Sequence, residues 1–586
     1  MKRSQVLPTG LLLRPIVLGL LLGSVCLGAF GESKPASQRV ADDDLLRWGP
    51  KVNRNKSGIE IGLRLEALET VWYNSAKGDY FRFAQAEVDA RLATRAAAPM
   101  KYDSDKALWG HQLLLMYRVT LDRKYFDAAK AIRGQLADAC GRSGGDSPNK
   151  VCTAEAFLAE YASLFDEPQE FANITRQFEL WEPLAHWPAA DVTNPTPPEA
   201  WLESLAPALV DAIPSYPEDD SGRDRLVAML SRVADMARQH QNASTGLLEY
   251  SSEAGMHRPM HPSAACLLIY AIAKGVRLGY LPESDRSVAL NAWQGIEKYF
   301  IHRDDGRSVG TADGSGWPPG PSTGPYLLAT AEMDLAPTAT LARGQAVILD
   351  AWYNSQQREN AAGQMESFHY KWSDMSDSGY ALLGHMFRSY GAATETLHAA
   401  PTRESLGKAQ YYIIVSPDIP VKNPNPHYMT EQDAGQIAGW VKDGGVLILM
   451  ENDPPNADLA HLNLLADRFG IHFDDVLHHH ILGEHVEDGR IPVDGDGPLF
   501  HHPHTLYMKD TCAISLSGPA AVLLRDRGDV VMAAAKYGRG TVFAAVDPWL
   551  YNEYTDGRKN PEIYGQFDNF AGGQELVRWL LQQHSH

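Results

Sequence analysis

One unit returns about every 44 residues in the first third of the chain, and it limits the fold more than any other feature. A helix carrying Ile61, Leu65, Leu68 and Trp72 has apolar spacings of 4, 3 and 4, a single stripe at helical period. It ends at the turn AKGDYF, which holds Asp79. The next such helix ends at TLDRKYF with Asp122, and the third at LFDEPQEF with Asp166, so the turns lie 43 and 44 residues apart. Each unit is a helix, an Asp-bearing turn and a second helix opened by an aromatic residue. Helical hairpins at a fixed period stack on one another, because none can bury its apolar face alone. Six of them need roughly 260 to 300 residues, the length of residues 57–343. The expectation is an (α/α)6 toroid whose helix-end loops form one mouth. LVAMLSRVADMARQHQ reads as a further amphipathic helix. SAACLLIYAIAKGVRLGYLP reads as an inner helix closed by Gly279 and Pro282.

From Ala346 the period changes. YYIIVSPD (411–418), GGVLILMEND (444–453), GDVVMAAAKYG (528–538) and GTVFAAVDPW (540–549) are short β-branched runs. EQDAGQIAGWVKD and NADLAHLNLLADRFG lie between them as helices. Strands alternating with helices indicate an open, mainly parallel α/β sheet. The chain therefore divides into residues 1–31, a toroid over 40–345 and an α/β domain over 346–586.

The first segment reads as a secretory signal peptide. Lys2, Arg3 and Arg14 precede an apolar run from Ile16 to about Ala29, too short to span a bilayer, and Ala29-Phe30-Gly31 is a small-x-small cleavage signal. The expected location is secreted or periplasmic. Lys and Arg total 53 against 73 Asp and Glu, a net charge of −20, which argues against nucleic acid or anionic membrane as partners. An oxidising compartment would permit a disulfide between Cys140 and Cys152 across the loop GRSGGDSPNK; two buried thiols are the other reading.

The runs GIEIGLRLEALETVWYNSAKGDYF, DSDKALWGHQLLLMYRVTLDRKYF, SPNKVCTAEAFLAEY and TGPYLLATAEM resemble the unsaturated rhamnogalacturonyl and glucuronyl hydrolases, glycoside hydrolase families 105 and 88. FHYKWSDMSDSGYALLGHMF, WVKDGGVLILMENDPPNA and VFAAVDPWLYNEYTDGR resemble the glutamine-amidotransferase-like (flavodoxin-like) domain attached to many family 105 proteins. The resemblance implies a multidomain glycosidase without a cofactor. In that family a protonated Asp donates to the C4=C5 double bond of an unsaturated uronic acid, beside a second carboxylate.

Carried over by motif, the first Asp falls on Asp105 in SDKALWGHQLLLMY; an acid there also serves as a helix N-terminal group facing the macrodipole. The second falls on Asn149, which cannot donate a proton as a carboxylic acid can. Asp146, Glu155 and Glu199 are alternative acids, whereas Glu160 matches a non-catalytic family Glu and reads as structural. For substrate binding the resemblance and the loops point to Trp201, Glu199, His257, Arg258, His261, Asp313 and Trp317. Trp201 and Trp317 are sugar-stacking aromatics or core residues. His257, Arg258 and His261 are a mouth-facing cluster or a solvated loop.

HHHILGEH (478–485) and HHPH (501–504) lack the helical i, i+4 pairing of a metal motif, and no metal is expected. The α/β half shows no Gly-x-Cys-x-Gly or Gly-x-Ser-x-Gly elbow, so no amidotransferase activity is expected, and DPWLYNEY is read as packing against the toroid or a second subunit. The leading expectation is an exo-acting hydrolase that removes a terminal uronic acid from an oligosaccharide. The alternatives are a degenerate carbohydrate-binding toroid and an assembly protein, with homo-oligomers left open.

Overall fold

A computed structural model describes residues 34–48, 58–94, 103–140, 148–182, 199–251, 257–304, 307–310, 321–551 except 484, then 553, 558 and 561–584. The expected signal peptide lies outside these residues. Among them no helix is long and apolar enough to cross a membrane.

Twelve helices alternate between an inner and an outer position. The inner six are α2 (Gly58–Ser75), α4 (Asp103–Thr120), α6 (Pro148–Leu164), α8 (Glu199–Ala212), α10 (Pro262–Arg277) and α12 (Thr323–Leu335). Each packs on the next, and α12 packs back on α2, so the ring closes. The outer six are α1 (Ala36–Trp48), α3 (Gly78–Thr94), α5 (Arg123–Cys140), α7 (Gln169–Trp181), α9 (Ser221–Gln239) and α11 (Arg286–Tyr299). Their amphipathic sequences follow from having one face on the inner ring and one in water.

Two features of the repeat explain how the ring packs. Gly62 and Gly110 sit where inner helices touch: a Cβ on Gly62 would lie 2.6 Å from Leu108, and one on Gly110 would lie 2.6 Å from the Phe157 ring. At three inner-helix ends the chain reverses through one left-handed residue, Ala76 (φ 49°), Leu121 (φ 58°) and Asp166 (φ 49°). A residue in that conformation after the last turn lets the following N–H groups satisfy the helix's final carbonyls. The Ala76 and Leu121 N–H groups accordingly donate to Trp72 O (2.6 Å) and Tyr117 O (2.7 Å).

The second half is a nine-stranded sheet: β1 (Ala346–Asp350), β2 (Ala393–Leu397), β3 (Tyr411–Val415), β4 (Val446–Met450), β5 (Ile471–His478), β6 (Thr511–Leu516), β7 (Ala520–Asp526), β8 (Asp529–Tyr537) and β9 (Gly540–Ala545). The order is β5-β6-β8-β9-β4-β3-β1-β2, with β7 on β8. Strands β2, β1, β3, β4 and β9 are mutually parallel, and β1 to β4 stand in the 2-1-3-4 order of a doubly wound sheet. Every residue of β1, β3 and β4 is buried, which is why these strands read as unbroken apolar runs. The expectation of a mainly parallel sheet holds for these five strands and needs correcting for four: β5 to β8 run antiparallel at one side. Helices α13 (Ala381–Ser389), α14 (Glu431–Lys442), α15 (Leu459–Ala466) and α16 (Asn569–Gln583) accompany the sheet.

The α/β half lies across the C-terminal ends of inner helices. His385 on α13 bonds Asn74 of α2 at 2.7 Å. The Ala361 N–H donates to Tyr117 Oη (2.8 Å), and Gln364 Nε2 to Phe165 O (2.7 Å). Arg558 stands over the rings of Trp72 (5.2 Å) and Phe81 (5.9 Å), so the segment after DPWLYNEY reaches the helical ring. The histidine runs are spread over separate carboxylates: His479 on Asp526, His480 on Asp510, His504 on Asp568. Among the described residues no group of three or more His, Cys, Asp or Glu is arranged to hold a metal ion. Cys512 is buried in β6, its thiol pushed far up by burial. Cys140 and Cys152 lie in helices, but their side chains are outside the described set.

Candidate active site

The ring encloses a cavity of about 660 Å³ that runs along its axis. At one end it begins at Ile59, Ala107 and Leu108, beside the N-termini of α2 and α4. At the other it reaches Tyr73, Leu278 and the α/β half through Trp372, His385 and Arg388.

Asp105 lies on α4 near the first end, two residues before Ala107, and is not itself among the residues that line the cavity. Its carboxylate accepts the backbone N–H of Ile59, and burial raises it above the usual carboxylate range, opposed by Arg91 and by that hydrogen bond. It packs so closely on Gly58 that a Cβ there would collide with it. This hydrogen bond runs across to α2. Asn149 lies in the first turn of α6, Glu199 and Trp201 in the first turn of α8, and His257 in a short strand, but their side chains are outside the described set. Asp146, Asp313 and Trp317 lie outside the described residues altogether. Arg258 is exposed on the His257–Pro259 strand, paired with Glu249–Ser251. His261 caps α10, its Nδ1 accepting the Ser263 N–H at 3.3 Å. Glu155 is buried at 1 % exposure and does not line the cavity.

The deeper wall carries most of the ionisable groups, and only Glu160 among them drew a sequence reading. His111 is held between Glu160 (2.6 Å from Nδ1) and Glu69 (2.8 Å from Nε2). The ring keeps 28 % of its surface, yet protein surrounds it on all sides, so that surface faces the cavity. Despite the desolvation that opposes it, the two carboxylates hold the His111 pKa well above the ordinary value. In return His111 and Arg118 hold Glu160 low against its own burial. Glu160, read from the sequence as structural, is paired with His111 and Arg118 and also lines the cavity. Lys274 Nζ (2.6 Å) and Tyr270 Oη (2.8 Å) bind Asp211. Burial, then the charge of Asp211, raises Glu66 to about 8, so Glu66 is mostly protonated at neutral pH. The cavity thus contains one carboxyl with a raised pKa close to a second acidic side chain, Asp211, a pairing general acid–base chemistry can use. The signal in the sequence was faint but present. Glu66, Glu69 and Tyr73 on α2, like Tyr270, Lys274 and Arg277 on α10, are polar groups at helical spacing inside otherwise apolar inner helices.

Residues 199–317 match Glycosyl Hydrolase Family 88. The chain is also similar in structure to a family 105 glycoside hydrolase of C. acetobutylicum, with 22 % identity, 51 % of this chain, 99 % of the other and a TM-score of 0.43. A family 88 protein of Bacteroides vulgatus gives 13 %, 51 %, 98 % and 0.41. A possible family 105 member from Salmonella enterica gives 15 %, 55 %, 98 % and 0.42. The toroid itself stands on the helix pairing described above. The family 88 match, from α8 to just before α12, supports a glycoside hydrolase and the resemblance to families 105 and 88 over the ring, while the amidotransferase-like reading of the α/β half is not tested by it.

Proposed function

We propose that this protein is an exo-acting glycoside hydrolase that removes a terminal uronic acid from an oligosaccharide, outside the cytoplasm. The observation that carries this reading is Asp105. It is the carboxyl the family motif calls for, and it sits partly buried beside the end of an axial cavity, with burial raising its pKa. A cavity along the axis of a ring admits a chain end more readily than a chain's middle, which supports exo action. With Asn149 unable to act as an acid, Glu66 is the cavity's best-suited second carboxyl, because burial, then the charge of Asp211, raises its pKa to about 8.

The test is uronate release from unsaturated lyase products and from saturated glucuronide oligosaccharides. General acid–base groups contribute about 10²–10⁴-fold, so Asp105→Asn is expected to lower release by that factor. Full activity in Asp105→Asn would remove Asp105 from the mechanism, and Glu66→Gln would then show whether the deeper acid acts alone. Asn149 favours a second reading, a ring that binds oligosaccharide without cleaving it. Binding with no release from either pool by the wild type would replace the first reading with this one.

A further inference from the structure

The cavity's far end has a positive character that the hydrolytic reading does not use. Arg388 comes from α13 of the α/β half and lines the cavity. Its one described hydrogen bond goes from Nη1 to Thr394 Oγ1 at 3.1 Å, and among the described residues no carboxylate pairs with it. The neighbouring cations are already engaged: Arg277 forms a fork with Glu332 (2.8 and 2.6 Å), Lys274 is on Asp211 and Arg118 on Glu160. Arg388 therefore stands partly buried in the cavity wall, with the charges of Arg277 and Arg118 bearing on it. Burial together with Arg277 and Arg118 lowers it to about 10. His385 reports the same field: burial, then Arg277, Arg388 and Lys274, hold it neutral. A guanidinium partly removed from water without a counter-charge carries a cost, and it is relieved by an anion whose two oxygens match the fork. Pro214 and Ser373 line this end and are both exposed, which gives a ligand a way in beside the end of α8. Tyr73, Tyr280 and Trp372 supply flat apolar surface around it.

We propose that this end of the cavity is a second ligand site, for the carboxylate of a small sugar acid, with Arg388 as the group that binds it. It lies about 20 Å from Asp105, counted along α2 from Ile59 to Tyr73 at the helical rise, so it does not rest on hydrolysis at the mouth. Because Arg388 belongs to the α/β half and its neighbours to the ring, the ligand would bridge the two.

Calorimetry and thermal melts of the full chain with glucuronate, acetate and glucose test this, using wild type, Arg388→Met, Arg388→Lys and Asp105→Asn. Expected are saturable glucuronate binding that raises Tm, no response to glucose, and at least tenfold weaker binding in Arg388→Met. Asp105→Asn should bind as wild type does, which separates this site from the mouth. Without ligand, Arg388→Met should melt no lower than wild type, since it removes an unpaired charge. Should it fail to accumulate, Arg388→Lys, which keeps the charge but loses the fork, is expected to bind several-fold more weakly. A response to acetate equal to that of glucuronate would keep the carboxylate site and remove the sugar. No binding by the wild type, or equal glucuronate binding in wild type, Arg388→Met and Arg388→Lys, would overturn the proposal.

Discussion

Removing Glu332 tests how the ring is held shut. Glu332 on α12 receives two hydrogen bonds from Arg277 on α10, and the side chains keep only 2 % and 6 % of their surface. A buried pair costs much of its attraction in desolvation, but breaking it leaves a bare charge, typically about 3–5 kcal/mol. Here the orphan would be worse placed than usual, because Arg277 already bears on Lys274 and Arg388. Glu332→Leu is therefore expected to lower stability by about 4 kcal/mol. Arg277→Met/Glu332→Leu, which removes both charges and keeps volume, should recover most of that loss. The assay is urea unfolding followed by tryptophan fluorescence and circular dichroism, read as a double-mutant cycle. A single-variant loss under about 1 kcal/mol, or a double variant as unstable as the two single losses added together, would refute the reasoning.

Three further expectations follow from other contacts. His111 has a raised folded pKa, so its contribution is complete below the unfolded value of 6.5 and is lost as pH rises from there through the folded value. Glu160 is depressed, so its contribution is present above 4.5 and lost as pH falls through its folded value. The stability gap between wild type and His111→Gln should be widest between those two values and shrink towards alkaline pH, and a gap that grows with pH counts against the bridge. Arg558 donates to Met375 O (2.8 Å) and Glu553 O (3.0 Å) while covering Trp72, so Arg558→Met should cost about 3 kcal/mol and quicken proteolysis where the two halves meet. Unchanged proteolysis would mean that Arg558 does not hold that seam. Cys266 and Cys512 are buried with thiols pushed up, so peptide mapping after alkylation should find both unlabelled in the native protein and labelled in urea.

The sequence by itself determined the helical ring and much of the sheet, because both follow from local periodicity. Ile61, Leu65, Leu68 and Trp72 form a stripe whatever surrounds them, and the 44-residue step forces hairpins to stack. YYIIV and VLILM could only be strands covered on both faces. The antiparallel strands β5 to β8 were mostly missed, since alternating or mixed runs such as IHFDDVLH carry a weaker signal. Asp105 was singled out by its motif, and its role is the one proposed above. The residues of the cavity wall were only faintly legible, because Glu66 and Asp211 lie 145 positions apart in the chain and meet only when the ring closes. The same holds for Arg388: the sequence shows one more arginine on an amphipathic helix, and only the docking of the α/β half on the ring brings it into the cavity wall with the charges of Arg277 and Arg118 bearing on it. Local pattern decides which segments become helices and strands. Which charges share a cavity, and so which proton is held or anion bound, is decided by closure of the chain on itself, since desolvation and Coulomb terms depend on distances that sequence order does not encode.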